Sequence, residues 1–219
     1  MHFLKHKKST LLAILLCIII GIGMTFYVQD SKQESIKQDT LLYYINLSGK
    51  QRQLAQRIVF LSQIVVTNRI LNRNNPSSLT ELRECINQLN SIHLILRNFV
   101  ISTIVGDKTH STLDEIYFGD GNLNVKMEEF LNDANKIFFL QSTQDLFRVN
   151  QELLTQLEGD NGLLASLELA TLSQQFYAQN LLKESQSNLQ ILLYVMLLIC
   201  GLQILLLLGG LEKNKSENK

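Results

Sequence analysis

Leu11–Val28 reads LLAILLCIIIGIGMTFYV, 18 residues without a charged side chain, and Ile191–Leu211 reads ILLYVMLLICGLQILLLLGGL, 21 residues with Gln203 as the one strongly polar group. Each run is long enough to cross a hydrocarbon core of about 30 Å at about 1.5 Å per residue. A cleaved signal peptide is the rival reading of the first run. That run is long for the apolar region of such a peptide, and it ends in MTFYVQDSK with no small-x-small site, so it reads as an uncleaved anchor.

The flanks predict the orientation. Lys5, Lys7 and Lys8 precede the first run and Lys213, Lys215 and Lys219 follow the second; the opposite flanks, with Asp30, Lys32, Glu34, Lys183 and Glu184, are mixed in sign. Basic residues favour the cytoplasmic side. The expected layout is a two-pass protein of the cytoplasmic (inner) membrane with the lipid bilayer as its first partner. It has a cytoplasmic tail at 1–10, membrane helices at 11–28 and 191–211, an extracytoplasmic (periplasmic) domain at 29–190 and a cytoplasmic tail at 212–219.

Averaged over the chain, these features vanish. The 219 residues carry 20 basic and 20 acidic side chains, with one Pro and no Trp. That composition excludes collagen-like, disulfide-rich and wholly disordered chains, and without a basic excess no nucleic-acid partner is expected. The exported segment holds 14 basic and 18 acidic residues, a net charge of about −4. Cys17 and Cys200 lie in the apolar runs and Cys85 is alone between them, so no intrachain disulfide framework is expected there.

Between the runs the apolar spacing is helical. Leu47, Leu54 and Leu61 recur every seven residues, interleaved with Gln51, Ile58 and Val65, which predicts a bundle seam in a first helix reaching about Arg73. Asn74-Asn75-Pro76 should break it. Ser78-Leu-Thr-Glu81 reads as a capping box opening a second helix to about Val105, with Leu82, Ile86, Leu89, Ile92 and Leu96 inward. Residues 106–123 read as a loop. A third helix is expected over 124–157, with Met127, Phe130, Leu131, Ala134, Ile137 and Phe138 inward. Glu158–Gly162 should then turn the chain into a fourth helix that leads from Leu163 into the second run. The predicted fold is all-α: an antiparallel four-helix bundle flanked by two transmembrane helices.

Enzymatic signals are poor, and neither catalytic residues, a metal site nor a cofactor is expected. No HExxH, CxxC, Walker loop or GxSxG occurs. Of the four His, His2 and His6 fall on the tail, His93 on the second helix reads as structural or solvated, and His110 reads as a solvated loop residue. Asp114-Glu115 and Glu128-Glu129 are adjacent pairs; neighbours on a helix point to different faces, so these carboxylates read as solvated groups that keep the surface soluble.

One segment stands apart: Ile45-Asn-Leu-Ser-Gly-Lys-Gln-Arg-Gln-Leu-Ala-Gln-Arg-Ile58. At 100° per residue Arg52 lies about 140° from the centre of the seam, with Gly49, Gln56 and Val59 near it. A mid-helix Gly costs about 1 kcal/mol relative to Ala, and close approach of another helix is one reason to keep it. Two copies meeting there would oppose their Arg52 guanidiniums, a repulsion that a small anion relieves through charge-assisted hydrogen bonds. The other reading is that Arg52 is a surface cation on a solvated face.

The same segment resembles the motif of the type IV pili methyl-accepting chemotaxis transducer N-terminal domain, roughly N-x-A-G-x-Q-R-M-L-S-Q-R. It is also similar to the periplasmic motif of NarX-like nitrate/nitrite sensors. The matching residues are Asn46, Gly49, Gln51, Arg52, Leu54, Gln56 and Arg57; Ser48, Gln53 and Ala55 depart from the pattern. The resemblance implies a signal-input domain that works as a homodimer. It makes Arg52 the ligand residue for a small anion, with Gly49 permitting helix approach and Arg57 and Asn46 in support. Such receptors continue into an output module after their second span. This chain is expected to lack one and to signal through a separate output protein of kinase or chemotaxis type. The competing expectation is a non-catalytic envelope or pilus-associated scaffold; a decayed receptor fragment is a third.

Overall fold

The computed structural model describes the backbone of residues 2–73, 75–104 and 111–217 and the side chains of 15–73, 75–102, 112–183 and 186–205; His110 lies outside the described residues. Six helices follow in order: α1 His2–Ile70, α2 Pro76–Ile104, α3 Ser111–Phe118, α4 Leu123–Lys136, α5 Thr143–Glu158 and α6 Leu163–Glu217. The protein is all-α, and the described residues contain no strand. Two compact units emerge: Thr40–Gln179, and a unit formed by the chain ends, Met1–Asp39 with Asn180–Lys219.

In the unit of chain ends, α1 and α6 are each long and apolar enough to cross a membrane, and their apolar windows are not buried. Ile18 is 56 % exposed, Phe26 65 % and Leu198 72 %. A core helix of a water-soluble protein would cover such side chains. The two apolar segments touch each other: the position of a Cβ on Gly23 lies 3.4 Å from Met196 Sδ, and Gln203 Nε2 donates to Cys17 Sγ at 2.9 Å.

The Thr40–Gln179 unit is organised by α1. Its inner side carries the expected seam, with Leu54, Ile58, Leu61 and Val65 buried. A second seam runs beside it, where Ser48, Ala55, Val59, Ser62 and Val66 are buried as well. Val59, expected on the solvated side with Arg52, is therefore a core residue. The buried face is wider than one coiled-coil stripe because helices pack against α1 from two directions.

The partners of α1 give the directions. Against α2, Tyr44 stacks on Phe99, Gln51 meets His93 and Arg57 meets Glu81, an antiparallel pair. Against the C-terminal helices, Ser62 meets Asn150, Arg52 meets Glu168 and Ser48 meets Gln174. The α1 number falls steadily while the partner number rises across α5 and α6. These two helices therefore run the same way, antiparallel to α1, and the chain does not reverse at residues 159–162.

The reversal lies elsewhere. The expected single helix over 124–157 is two helices, and Gln156 Nε2 on α5 donates to Asp133 Oδ2 on α4 at 2.6 Å. Residues 137–139 tighten into i→i−3 bonds, Ile137 N to Ala134 O, Phe138 N to Asn135 O and Phe139 N to Lys136 O. Ser142 then caps α5 by accepting from Asp145 N. No Gly or Pro marks this turn, so the apolar run Ile137–Leu140 passes for helix in the sequence.

Gly119–Asn122 and Gly159–Gly162 are the glycine-rich segments, and they interrupt helices. Asn122 and Asn161 take left-handed φ of 47° and 60°. A Cβ on Gly121 would lie 2.7 Å from Ile116 O and one on Gly162 2.6 Å from Leu157 O, so only glycine fits. Lys126 Nζ joins α4 to the second interruption, donating to Asn161 O and to Ser166 Oγ, both at 3.0 Å.

Two other expectations are corrected. Residues 111–118 inside the expected loop form α3, because Leu113, Ile116 and Tyr117 share one buried face at i, i+3, i+4. The expected capping box at Ser78–Glu81 is not a cap. Helix α2 starts two residues earlier at Pro76, whose fixed φ and missing N–H suit a first turn. Glu81 turns instead to Arg57.

A bis-maleimide spanning about 10 Å should join cysteines placed at Asp133 and Gln156 in a chain whose three native cysteines are Ala. In one unbroken helix those 23 positions would lie about 35 Å apart, so absence of the crosslink would restore the single-helix reading. Leu153, fully buried on α5, should cost about 2–5 kcal/mol on replacement by Ala in a denaturant titration, whereas Phe139→Ala, at a side chain 82 % exposed, should cost under about 0.5 kcal/mol.

Candidate functional site

Asn46, Gly49 and Arg52, three of the four residues singled out by the motif, line one groove between α1 and α6 within the Thr40–Gln179 unit. The groove measures about 560 Å³ and also presents Lys50, Gln53, Glu168 and Leu172. Residues 46, 49, 50 and 53 fall on one helical face at i, i+3, i+4, i+7, which is why so few residues of the motif suffice to build a wall.

Arg52 stands half-exposed at the edge of the second buried seam, in heptad register with Val59 and Val66. Its Nη1 lies 3.7 Å from Glu168 Oε2, a long contact between exposed groups. An exposed pair of that kind contributes at most about 1 kcal/mol, and it leaves most of the guanidinium donors available. Beyond its own neighbours and helix backbone, Gly49 has no atom of the described residues within 4 Å of where its Cβ would sit. Among the described residues the glycine answers no close approach of another element; it keeps that wall of the groove open.

Arg57 is not part of this groove. It points to α2, where Nε donates to Glu81 Oε1 at 3.0 Å and Nη2 reaches the same oxygen. The guanidinium also sits 5.7 Å from the centre of the Phe60 ring. The Glu81 hydrogen bond, then its charge, raises the Arg57 pKa. Five residues turn a helix by about 140° from Arg52, and that rotation separates the two cations.

Gln51, next to Arg52 in the chain, faces the core and begins a polar chain. Its Nε2 lies 3.2 Å from His93 Nδ1, His93 Nε2 lies 3.1 Å from Asn124 Oδ1, and Asn124 Nδ2 donates to Glu128 Oε1 at 2.9 Å. An amide donor at Nδ1 assigns the proton of a neutral imidazole to Nε2, so each member donates to the next. His93 is buried and its ring lies parallel to that of Tyr117 at 6.4 Å. Burial lowers the His93 pKa, against smaller opposing effects of the Asn124 hydrogen bond and the Glu128 charge. Burial likewise raises the Tyr117 hydroxyl, which has no hydrogen-bond partner among the described residues.

Further polar contacts tie the second seam. Ser48 Oγ donates to Gln174 Oε1 at 2.5 Å, and Ser62 Oγ donates to Val59 O and meets the Asn150 amide at 2.5 Å. The pattern shows where to look for such residues: Gln51 and Asn150 each interrupt an apolar stripe, between Leu47 and Leu54 and between Val149 and Leu153. The described residues bring no three His, Cys, Asp or Glu together as a metal-binding group.

Set against known protein families, curated proteins and solved structures, the chain finds no match in any of the three.

The polar chain has a pH consequence. His93 in the folded protein holds its proton more weakly than in the unfolded chain, whose imidazole titrates near 6.5. The unfolded state therefore takes up the extra proton as pH falls. Stability is fully present above about pH 6.5 and declines from there towards the lowered folded value. Melting temperatures between pH 7.5 and 5.5 should fall with acidity, and His93→Gln should flatten that slope; an equal slope in both proteins would exclude His93 as its source.

Proposed function

We propose that this chain is a membrane-anchored sensory input protein without catalytic activity. Residues 11–28 and 191–211 cross the membrane, both termini are cytoplasmic, and residues 29–190 form an extracytoplasmic antiparallel four-helix bundle. Its four rods are α1, α2, α3 with α4, and α5 with the start of α6. It acts as a homodimer, takes a small anion at Arg52, and passes the signal to a separate output protein of kinase or chemotaxis type, as the NarX-like and pilus-type resemblance implies.

The observation that carries this reading is the convergence of Asn46, Gly49 and Arg52 on one open groove beside Lys50. Two cations there face a single acidic side chain, Glu168, leaving a local positive excess for a monoanion. Asn46 adds an amide, and Gly49 leaves room for a partner helix or ligand that the chain itself does not supply.

A scaffold role is favoured by a different feature. Leu169, Leu172 and Phe176 are 52 %, 54 % and 66 % exposed at i, i+3, i+7 on α6, an apolar stripe suited to protein contact. Anion binding separates the two readings. For the full chain in detergent, saturating nitrate or nitrite should raise the melting temperature above that in matched chloride, by about 2.7 kcal/mol of stability at a hundredfold excess over Kd. Arg52→Ala should abolish the shift. No shift with the native chain would favour the scaffold; an unchanged shift in Arg52→Ala would remove the assigned site.

A further inference from the structure

A second cationic cavity lies at the turn between α1 and α2, on a different part of the Thr40–Gln179 unit from the Arg52 groove. It is a surface pocket of about 300 Å³, open to solvent, and Asn68 with the exposed Arg69, Asn72, Arg73 and Asn75 forms its polar wall. Val65 and Leu79 supply apolar surface beside them. Among the described residues no acidic side chain lines it.

The backbone explains why the arginines are free. Asn72 adopts a left-handed φ of 52°, Arg73 N donates to Asn68 O at 2.8 Å and Asn72 N to Arg69 O at 3.2 Å. This is a Schellman closure, in which the carbonyls of Asn68 and Arg69 in the last turn of α1 are satisfied by the turn itself. Neither guanidinium is needed to cap the helix. Arg69 and Arg73 make no ion pair among the described residues; Arg83 and Arg97 share that state singly, with Arg83 over the Phe138 ring, whereas Arg52, Arg57 and Arg148 each face a carboxylate. Asn68 Nδ2 is buried and has no hydrogen-bond partner among the described residues, a donor whose desolvation is uncompensated.

We infer that this cavity binds a small organic dianion of the dicarboxylate class. Two unpaired guanidiniums set the charge at two negative groups, each guanidinium offering a planar fork matched to a carboxylate. The asparagine amides supply neutral hydrogen bonds between them, and Asn68 Nδ2 gains its missing acceptor. The apolar surface of Val65 and Leu79 suits a short carbon backbone rather than a bare monatomic anion. At about 300 Å³ the space is at the lower end of small-molecule pockets.

The test uses the full chain in detergent, with succinate as the probe and acetate and chloride at matched ionic strength as controls. Isothermal titration should show saturable succinate binding, weakened about tenfold or more by Arg69→Gln or by Arg73→Gln and unchanged by Arg148→Gln, which removes an equal charge elsewhere. The melting temperature without ligand checks that each variant folds, and the two single variants serve as independent tests. Absence of succinate binding by the native chain, equal binding by both arginine variants, or equal binding of acetate would overturn the inference. Loss confined to Arg52→Ala would place the ligand in the other groove and overturn it too. A nitrate effect lost in Arg52→Ala stands or falls separately from these results.

Discussion

Burial of α1 along two adjacent seams is the constraint from which the rest of the Thr40–Gln179 unit follows. Leu54, Ile58, Leu61 and Val65 face one set of neighbours, and Ala55, Val59, Ser62 and Val66 face another. A helix covered on both seams has a narrow strip left for solvent, and that strip contains Asn46, Gly49, Lys50 and Gln53. The groove is thus what remains of α1 after packing has taken its share. Arg52 sits at the boundary, close enough to the core to be oriented and far enough out to keep its charge hydrated.

The buried polar residues give these seams direction. Leucine seams tolerate sliding by a turn, since one apolar side chain resembles the next. Ser48 with Gln174, Ser62 with Asn150 and Gln51 with His93 do not, because a shifted register would strand each partner in a low-dielectric interior. Uniqueness of register here comes from a few hydrogen bonds, while the bulk of the driving force comes from the apolar side chains around them. The neutral form of His93 is a condition of that arrangement, since Nδ1 must accept from Gln51.

Periodicity and breaker residues made the helical class, the end of α1, the two apolar runs and the principal seam legible in the sequence. The second seam was hidden because Ser48, Ala55 and Ser62 are small or polar and carry little hydrophobic signal. The chain reversal was hidden for the opposite reason. Ile137–Leu140 is apolar enough to pass for helix, while Glu158–Gly162 has every mark of a turn and merely interrupts. Glycine reported the need for close backbone approach, as at Gly162 over Leu157 O, and not the need to change direction. Of the candidate site, helical geometry placed Arg52 and Gly49 on the same side correctly. The same geometry turns Arg57 about 140° away from Arg52 and out of the groove; what no local pattern names is the partner it finds there, Glu81, 24 residues away.

The joint at Gly159–Gly162 also sets how this chain tolerates changes in length. Leu146, Val149, Leu153 and Leu157 keep one face of α5 inward, and Leu163, Leu167, Ala170 and Gln174 resume it on α6. A residue inserted within α5, before Leu157, would rotate everything beyond it by about 100° and swing the later core positions towards water. The same insertion between Gly159 and Gly162 falls where the helical ladder is already broken, so the added rotation can be taken up before α6 begins at Leu163. Along this arm a change of length at that joint disturbs the buried faces least, and what it costs is the close contact at Gly162 and the Lys126 tie.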